Sequence, residues 1–365
     1  MSHKPVRVLV VDDSALVRKV MTRGLGADPD IEVVAAAVDP FDARDKIVSL
    51  RPEVMTLDVE MPKMDGVEFL RRLMAQLPLP TIIVSSLTRR GTQTALAALG
   101  AGAIDVVAKP TADVAGGLER MMLELRAKVK NARYLRLDKI PYEASAPPCR
   151  PPSPARPGLA EPATPTGAVL EESSHRVVAI GASTGGTQAL ARVMERLPVK
   201  TPGVVIVQHM PPSFTGPFAA RLDRLSPMRV EEARDGDRVM DGLALVAPGG
   251  KQLEIERRGA MYYARVRPGP LVSGHCPSVD VMMASIAKAA GRHAMAVMLT
   301  GMGDDGAKGM LAMRRAGAHT VGQDERSCVV YGMPRVAYEL GAVERQVPLD
   351  GVADAIRRYA QRPSS

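Results

Sequence analysis

Apolar residues occur along this chain in short bursts, and most bursts stop at a charged, hydroxyl or glycine residue. Near-continuous apolar runs of four to eight residues read as parallel strands buried on both faces. In the first third such runs cover 6–11, 31–37, 54–57, 81–86 and 104–108. Between them apolar residues return at helical spacing over 15–25, 41–50, 66–77, 91–99 and 118–129. Strand and helix therefore alternate five times, which predicts a doubly wound parallel sheet. The pattern resumes at 177–180 and 203–208, with helices after each. Its texture changes at 230–266, where Asp235-Gly236, Asp241-Gly242 and Pro248-Gly249-Gly250 separate short strands at 243–247, 252–256 and 261–266. The last two suit an antiparallel pair joined through 257–260. Helix 279–290, strand 294–300, helix 307–316, strand 320–323 and helix 352–359 follow. The fold class expected is α/β: two doubly wound, mostly parallel sheets, the second with an antiparallel insert.

One stretch carries no hydrophobic period. Residues 138–174 hold a cluster of prolines with Ala, Ser and Glu, which reads as a semi-extended tether. The expected division is 1–137, linker 138–174, and 175–365. A tether of this kind keeps two domains at high effective concentration while leaving their contact reversible.

Composition narrows the picture. Of 365 residues 46% are hydrophobic but only 3% aromatic, with no Trp and 21 Met, so the cores are aliphatic and Met-filled. The net charge of +8 is dispersed, without a dense basic block, and does not call for nucleic-acid binding. Cys149, Cys276 and Cys328 are few and irregularly spaced, which argues against a disulfide framework and fits a reducing compartment. No run of 18 apolar residues exists, and no apolar leader precedes Asp12-Asp13. The expected location is the cytoplasm, without membrane insertion.

Chemistry collects where strands end. Asp12, Asp13 and Asp58 close the first and third strands, which are neighbours in such a sheet. Three carboxylates meeting there call for a cation, and hard oxygen ligands favour Mg²⁺. One carboxylate then serves as nucleophile toward a phosphoryl donor. Ser85 and Lys109 close the next two strands, and a hydroxyl and an ammonium suit phosphate oxygens.

In the second half the string Gly181-Ala182-Ser183-Thr184-Gly185 puts a hydroxyl on a strand-to-helix turn. His209 ends the next buried strand, and the Asp304-Asp305 pair follows a third. The other histidines fall elsewhere: His3 and His175 in flanks, His293 and His319 ahead of strands, His275 in a loop. Nucleophile, base and orienting acid thus lie at one sheet edge in the order Ser, His, Asp. That order differs from the α/β-hydrolases, so the G-x-S-x-G string does not itself indicate their fold.

The first segment resembles the response-regulator receiver domain, on Asp12-Asp13-Ser14, 57–66, Val84-Ser85-Ser86 and Lys109-Pro110. The resemblance implies a flavodoxin-like fold and phosphorylation of Asp58 by a histidine kinase. It implies Mg²⁺ held by Asp12, Asp13, Asp58 and the backbone carbonyl of Glu60. Ser85 would be the switch hydroxyl and Lys109 the phosphate-sensing cation, with a cis peptide to Pro110. The second segment resembles the chemotaxis protein-glutamate methylesterase catalytic domain, on 181–187, 207–211, Pro277-Ser278-Val279-Asp280 and 299–306. This implies an α/β/α domain with no cofactor for the esterase. Ser183 would be nucleophile, His209 general acid/base, Asp305 its partner, and Met302 a backbone oxyanion donor. The substrate implied is a glutamate γ-methyl ester on methyl-accepting chemotaxis receptors, with receptor glutamine amides as a second. Cys276 stands where the family pattern suggests Arg, and Asp304 where it often has Asn.

Two other classes compete: a phosphorylation-controlled module that only docks a receptor, and a nucleotide-binding effector using the 181–186 turn. The second domain lacks a GK[ST] string, and its second strand ends in Gln208-His209 rather than an acid, which weakens the nucleotide reading. Methanol release separates the esterase from the docking module.

Overall fold

The computed structural model describes residues 4–61, 65–110, 114–136 and 175–362. The proline-rich stretch, Cys149 and Pro62-Lys63-Met64 lie outside these.

The first sheet is built from β1 (Val6–Val11), β2 (Ile31–Ala37), β3 (Val54–Leu57), β4 (Thr81–Ser85) and β5 (Asp105–Ala108). Helices α1 (Ala15–Gly26), α2 (Pro40–Leu50), α3 (Gly66–Gln76), α4 (Arg89–Gly100) and α5 (Val114–Ala132) alternate with them. The strand order is β2-β1-β3-β4-β5, all parallel. β3 and most of β1 are buried on both faces, as their nearly continuous apolar runs require. Side-chain caps fix the helix starts: Ser14 on Val17 N, Asp39 on Phe41 N and Asp42 N, Asp65 on Val67 N, and Thr88 on Gly91 N.

The second sheet has seven parallel strands in the order β15-β14-β13-β6-β7-β10-β8. Its centre is β13 (Ala294–Met298), β6 (Val177–Ala182) and β7 (Gly203–Gln208), each buried throughout. β14 (His319–Gln323) and β15 (Arg345–Val347) extend one side; β10 (Leu243–Val246) and β8 (Arg229–Glu232) extend the other. The chain enters at β6 and builds outward first one way, then the other, so β6 lies where strand order reverses. In open α/β sheets the carboxyl edge at that point is the usual ligand crevice. Helices α6 (Gly186–Met194), α7 (Pro212–Leu225), α8 (Val279–Ala290), α9 (Ala307–Arg315), α10 (Met333–Glu339) and α11 (Leu349–Ala360) cover the faces.

The insert is a three-stranded antiparallel sheet, β11-β12-β9. β11 (Gln252–Arg258) and β12 (Met261–Arg267) pair from Gln252–Arg267 to Arg258–Met261. The hairpin turn is therefore only Gly259-Ala260, shorter than the four residues expected, with Gly259 at φ +62°. β9 (Arg238–Val239), β8, β15 and α10 go beyond the elements that the apolar pattern predicts; they are short, and the strands among them lie at sheet margins. Among the described residues no helix is long and apolar enough to cross a membrane.

The two sheets meet through α4 and the turn before β5. Gln188 Nε2 of α6 donates to the carbonyls of Leu99 (2.8 Å) and Ala103 (2.7 Å). Thr184 Oγ1 donates to Asp105 Oδ2 (3.1 Å), and Gly185 N–H reaches the Ile104 carbonyl at 3.4 Å. Arg221 of α7 donates to Leu96 O (3.0 Å), and Arg136 N–H to Val329 O (3.1 Å).

Candidate functional site

In the first sheet the carboxylates expected at strand ends do converge. Oxygens of Asp12, Asp13 and Asp58 lie within 4.8 Å of one another. Asp12 and Asp58 are buried and Asp13 is exposed. Lys109 Nζ bridges the buried two, at 2.8 Å from Asp12 Oδ2 and 2.6 Å from Asp58 Oδ2. Burial raises the Asp12 pKa despite the Lys109 hydrogen bond and charge. Burial works to lower Lys109, but Asp12 and Asp58 outweigh it and leave its pKa raised. Three acids against one ammonium leave an excess of negative charge, and the donors are all hard oxygens; that set fits a divalent cation.

Glu60 N–H donates to Asp58 Oδ1 (2.9 Å), which sets this peptide beside the acid. The Glu60 side chain turns to the Ser86 hydroxyl. Ser85 is fully buried, and its hydroxyl donates to Gly91 O at 3.1 Å rather than to Asp58. The bond from Lys109 to Pro110 is not cis; the cis peptide among the described residues is Cys276–Pro277.

In the second sheet Ser183, His209 and Asp305 gather at the carboxyl edge of β6, β7 and β13. Ser183 N–H donates to Thr300 O (3.1 Å), and its carbonyl accepts from Gly186 N–H (2.7 Å) at the start of α6. Gln208 Nε2 donates to Ser183 O (3.0 Å) and His209 O (3.2 Å), tying the two backbones together. His209 Nε2 bonds Asp305 Oδ2 at 2.8 Å. His209 Nδ1 is buried without a hydrogen-bond partner, so the ring and the Ser183 hydroxyl are not bonded here.

Asp305, 1% exposed, is the member of the acid pair that bonds His209; Asp304 is exposed. Burial works to raise the Asp305 pKa, yet the hydrogen bond and charge of His209, with Ser278 and Val279 N–H, leave it lowered. The sequence places the acid pair after β13, at the start of α9. The residue preceding α9 is instead Gly306, without a side-chain cap, and Asp305 reaches the start of α8: it accepts from Ser278 Oγ (2.6 Å), Val279 N (2.7 Å) and Asp280 N (3.2 Å).

Three contributors are not singled out by the sequence pattern. Thr300 Oγ1 donates to Thr184 O (3.1 Å) and accepts from Val330 N (2.9 Å), bracing the turn that carries Ser183. Gln208 is the buried amide just described. His275 stacks on His209, with centroids 3.6 Å apart and planes at 5°. Thr300 and Gln208 both stand at strand ends, so the rule that finds Ser183 reaches them; His275 has no such mark.

Glycine is required where the turn is tightest. Gly185 has φ +74°, and a Cβ there would lie 2.7 Å from Val329 Cβ. Gly185→Ala is expected to destabilise the fold by about 1–3 kcal/mol. A melting midpoint unchanged from wild type would contradict this.

The CheB methylesterase family model matches residues 178–356, and the response regulator receiver domain model matches 8–115. A protein-glutamate methylesterase/protein-glutamine glutaminase of Syntrophotalea carbinolica is 54% identical over 353 residues, covering 97% of each chain. A protein-glutamate methylesterase/protein-glutamine glutaminase 2 of Pseudomonas aeruginosa is 49% identical over 361 residues, covering 99% of each. Among solved structures, the Thermotoga maritima CheB methylesterase catalytic domain aligns at 34% identity over 50% of this chain and 97% of that one, with a TM-score of 0.49. The chain belongs to the protein-glutamate methylesterase/protein-glutamine glutaminase family, with a receiver domain ahead of a methylesterase domain.

Proposed function

We propose that this chain is a phosphorylation-activated protein-glutamate methylesterase that also deamidates receptor glutamines, with Ser183, His209 and Asp305 carrying the hydrolysis. The observation that supports the residue assignment most is His209. One ring nitrogen is held by a buried carboxylate, and the other is left unpartnered at the strand end beside Ser183.

Ser183 Oγ attacks the γ-carbonyl carbon of a methylated glutamate and loses its proton to His209 Nδ1. The carbonyl oxygen becomes an oxyanion near the Met302 N–H, which would donate to it. The imidazolium then protonates the departing methoxide, and methanol leaves an acyl-serine. Water adds with Nδ1 as base, the serine is released, and the product is a glutamate carboxylate. With a glutamine side chain the same steps release ammonia. Asp305 stays ionised through the cycle because its pKa is lowered, and it holds the proton on Nε2. Methanol from a methylated receptor, and ammonia from one bearing glutamine, test the assignment; wild type yielding neither would overturn it.

The receiver supplies control. Its kinase is a histidine kinase and its setting the cytoplasmic face of a chemoreceptor array. Asp12, Asp13, Asp58 and the Glu60 carbonyl would hold Mg²⁺, which supplies charge neutralisation for phosphoryl transfer. Lys109 pairs with the acceptor Asp58, and Ser85 is the hydroxyl that changes partner. In the unphosphorylated arrangement the turn before β5 sits on the turn carrying Ser183, and the Ile104 carbonyl takes the Gly185 N–H. Asp58→Asn is expected to abolish phosphate incorporation from a small phosphoryl donor, and chelation of divalent cations to do the same to wild type. Undiminished labelling of either would refute the acceptor or the cation.

A further inference from the structure

His275 lies outside every role assigned above, yet it lies flat against the base. Its loop is pinned. Val272 and His275 exchange backbone hydrogen bonds of 2.9 Å, and Cys276 O accepts from Gly250 N–H at 3.0 Å. Gln252 Nε2 donates to Pro270 O at 2.9 Å, and Gln252 Oε1 accepts from Ser278 N–H at 2.9 Å. Three residues after His275, Ser278 gives its hydroxyl to Asp305. A single short segment thus covers the face of His209 and clamps the acid at its edge.

One hydrogen bond does not orient a histidine ring. The torsion about its Cβ–Cγ bond is broad, and Asp305 fixes only the Nε2 corner. A parallel neighbour at 3.6 Å removes the remaining tilt, because either ring turning out of plane would collide with the other. With edge and face both held, Nδ1 keeps one direction.

We propose that His275 is a positioning residue: a flat platform that holds the His209 imidazole in the plane from which Nδ1 serves Ser183. This rests on His209 being the base. Burial first, then the neighbouring His209, pushes the His275 pKa down to about 4, so it adds no positive charge when His209 takes the serine proton. The other charged groups bearing on it are Asp305 and, from the receiver, Lys128 and Asp105.

The test uses the full chain and methanol release from a methylated receptor. His275→Ala is expected to lower kcat about 10- to 100-fold, as misplacement of a reacting group does, with KM changed less than about twofold. His275→Phe, flat but unable to carry a proton, is expected to restore kcat to within about threefold of wild type. Its pH–rate profile should keep the wild-type shape. If the alanine protein fails to fold, His275→Leu fills the space without a flat face and should show the same kcat loss. Alanine or leucine variants with wild-type kcat overturn the proposal, as does a phenylalanine variant as impaired as the alanine one. A limb lost from the phenylalanine profile makes His275 a proton carrier and overturns it too. Wild type releasing no methanol overturns the esterase reading, and this proposal with it.

Discussion

Ser183→Ala is expected to reduce methanol release from a methylated receptor by about 10⁴-fold or more, since members of a triad act as a unit. The loss should fall on kcat, because in the proposed mechanism the serine forms the bond that is made in the transition state. Folding should survive: Ser183 is braced through its backbone, by Thr300 O on its N–H and by Gly186 N–H and Gln208 Nε2 on its carbonyl. The hydroxyl itself bears none of these contacts. A Ser183→Ala protein with a wild-type melting curve and near-normal methanol release would remove the nucleophile from the scheme. Binding of the receptor should persist in this variant, which also separates hydrolysis from docking.

The second large effect concerns the contact between the two domains. Gln188→Ala in the unphosphorylated full chain is expected to raise basal methanol release roughly tenfold. Gln188 is buried and donates both amide hydrogens to receiver carbonyls, at Leu99 and Ala103. Each such bond contributes about 0.5–1.5 kcal/mol net, so the closed arrangement loses about 1–3 kcal/mol. A shift of about 1.4 kcal/mol is a factor of about ten in an equilibrium. On the proposed control phosphorylation has already moved the receiver from the turn, so the phosphorylated rate should change little. Basal release equal to wild type would show that this contact does not restrain the enzyme.

Much of the architecture is legible in the sequence, for a physical reason. Parallel strands covered on both faces must be apolar nearly throughout, so β1, β3, β6, β7 and β13 announce themselves as nearly continuous apolar runs. The residue ending such a run sits at the functional edge, and that rule alone brings Asp12, Asp58, Ser183 and His209 to their places. It fails where burial is partial. β8 reads Arg-Val-Glu-Glu because it is an outer strand with one exposed and two half-buried positions, and β15 has three residues. It fails also for groups placed by distant partners. His275 reaches His209 only because its loop is tied to Gly250 and Gln252, some 25 residues earlier in the chain. The direction of the Ser85 hydroxyl depends on the carbonyl of Gly91, a choice between two partners that no pattern of residues records.

Asp305 joins two tasks that are commonly separate. One oxygen serves His209 and the Val279 N–H; the other serves the Ser278 hydroxyl and the Asp280 N–H. The carboxylate that holds His209 thus also holds the start of helix α8, together with the Ser278 cap. Mutational tolerance at Ser183, His209 and Asp305 is therefore expected to be unequal. A lineage drifting toward a silent copy that still docks its receptor can lose the serine hydroxyl without disturbing the layer around it. Losing the acid leaves the Ser278 hydroxyl and the Val279 and Asp280 N–H groups without this acceptor, so decay by that route is expected to end in a weakened protein rather than a quiet one.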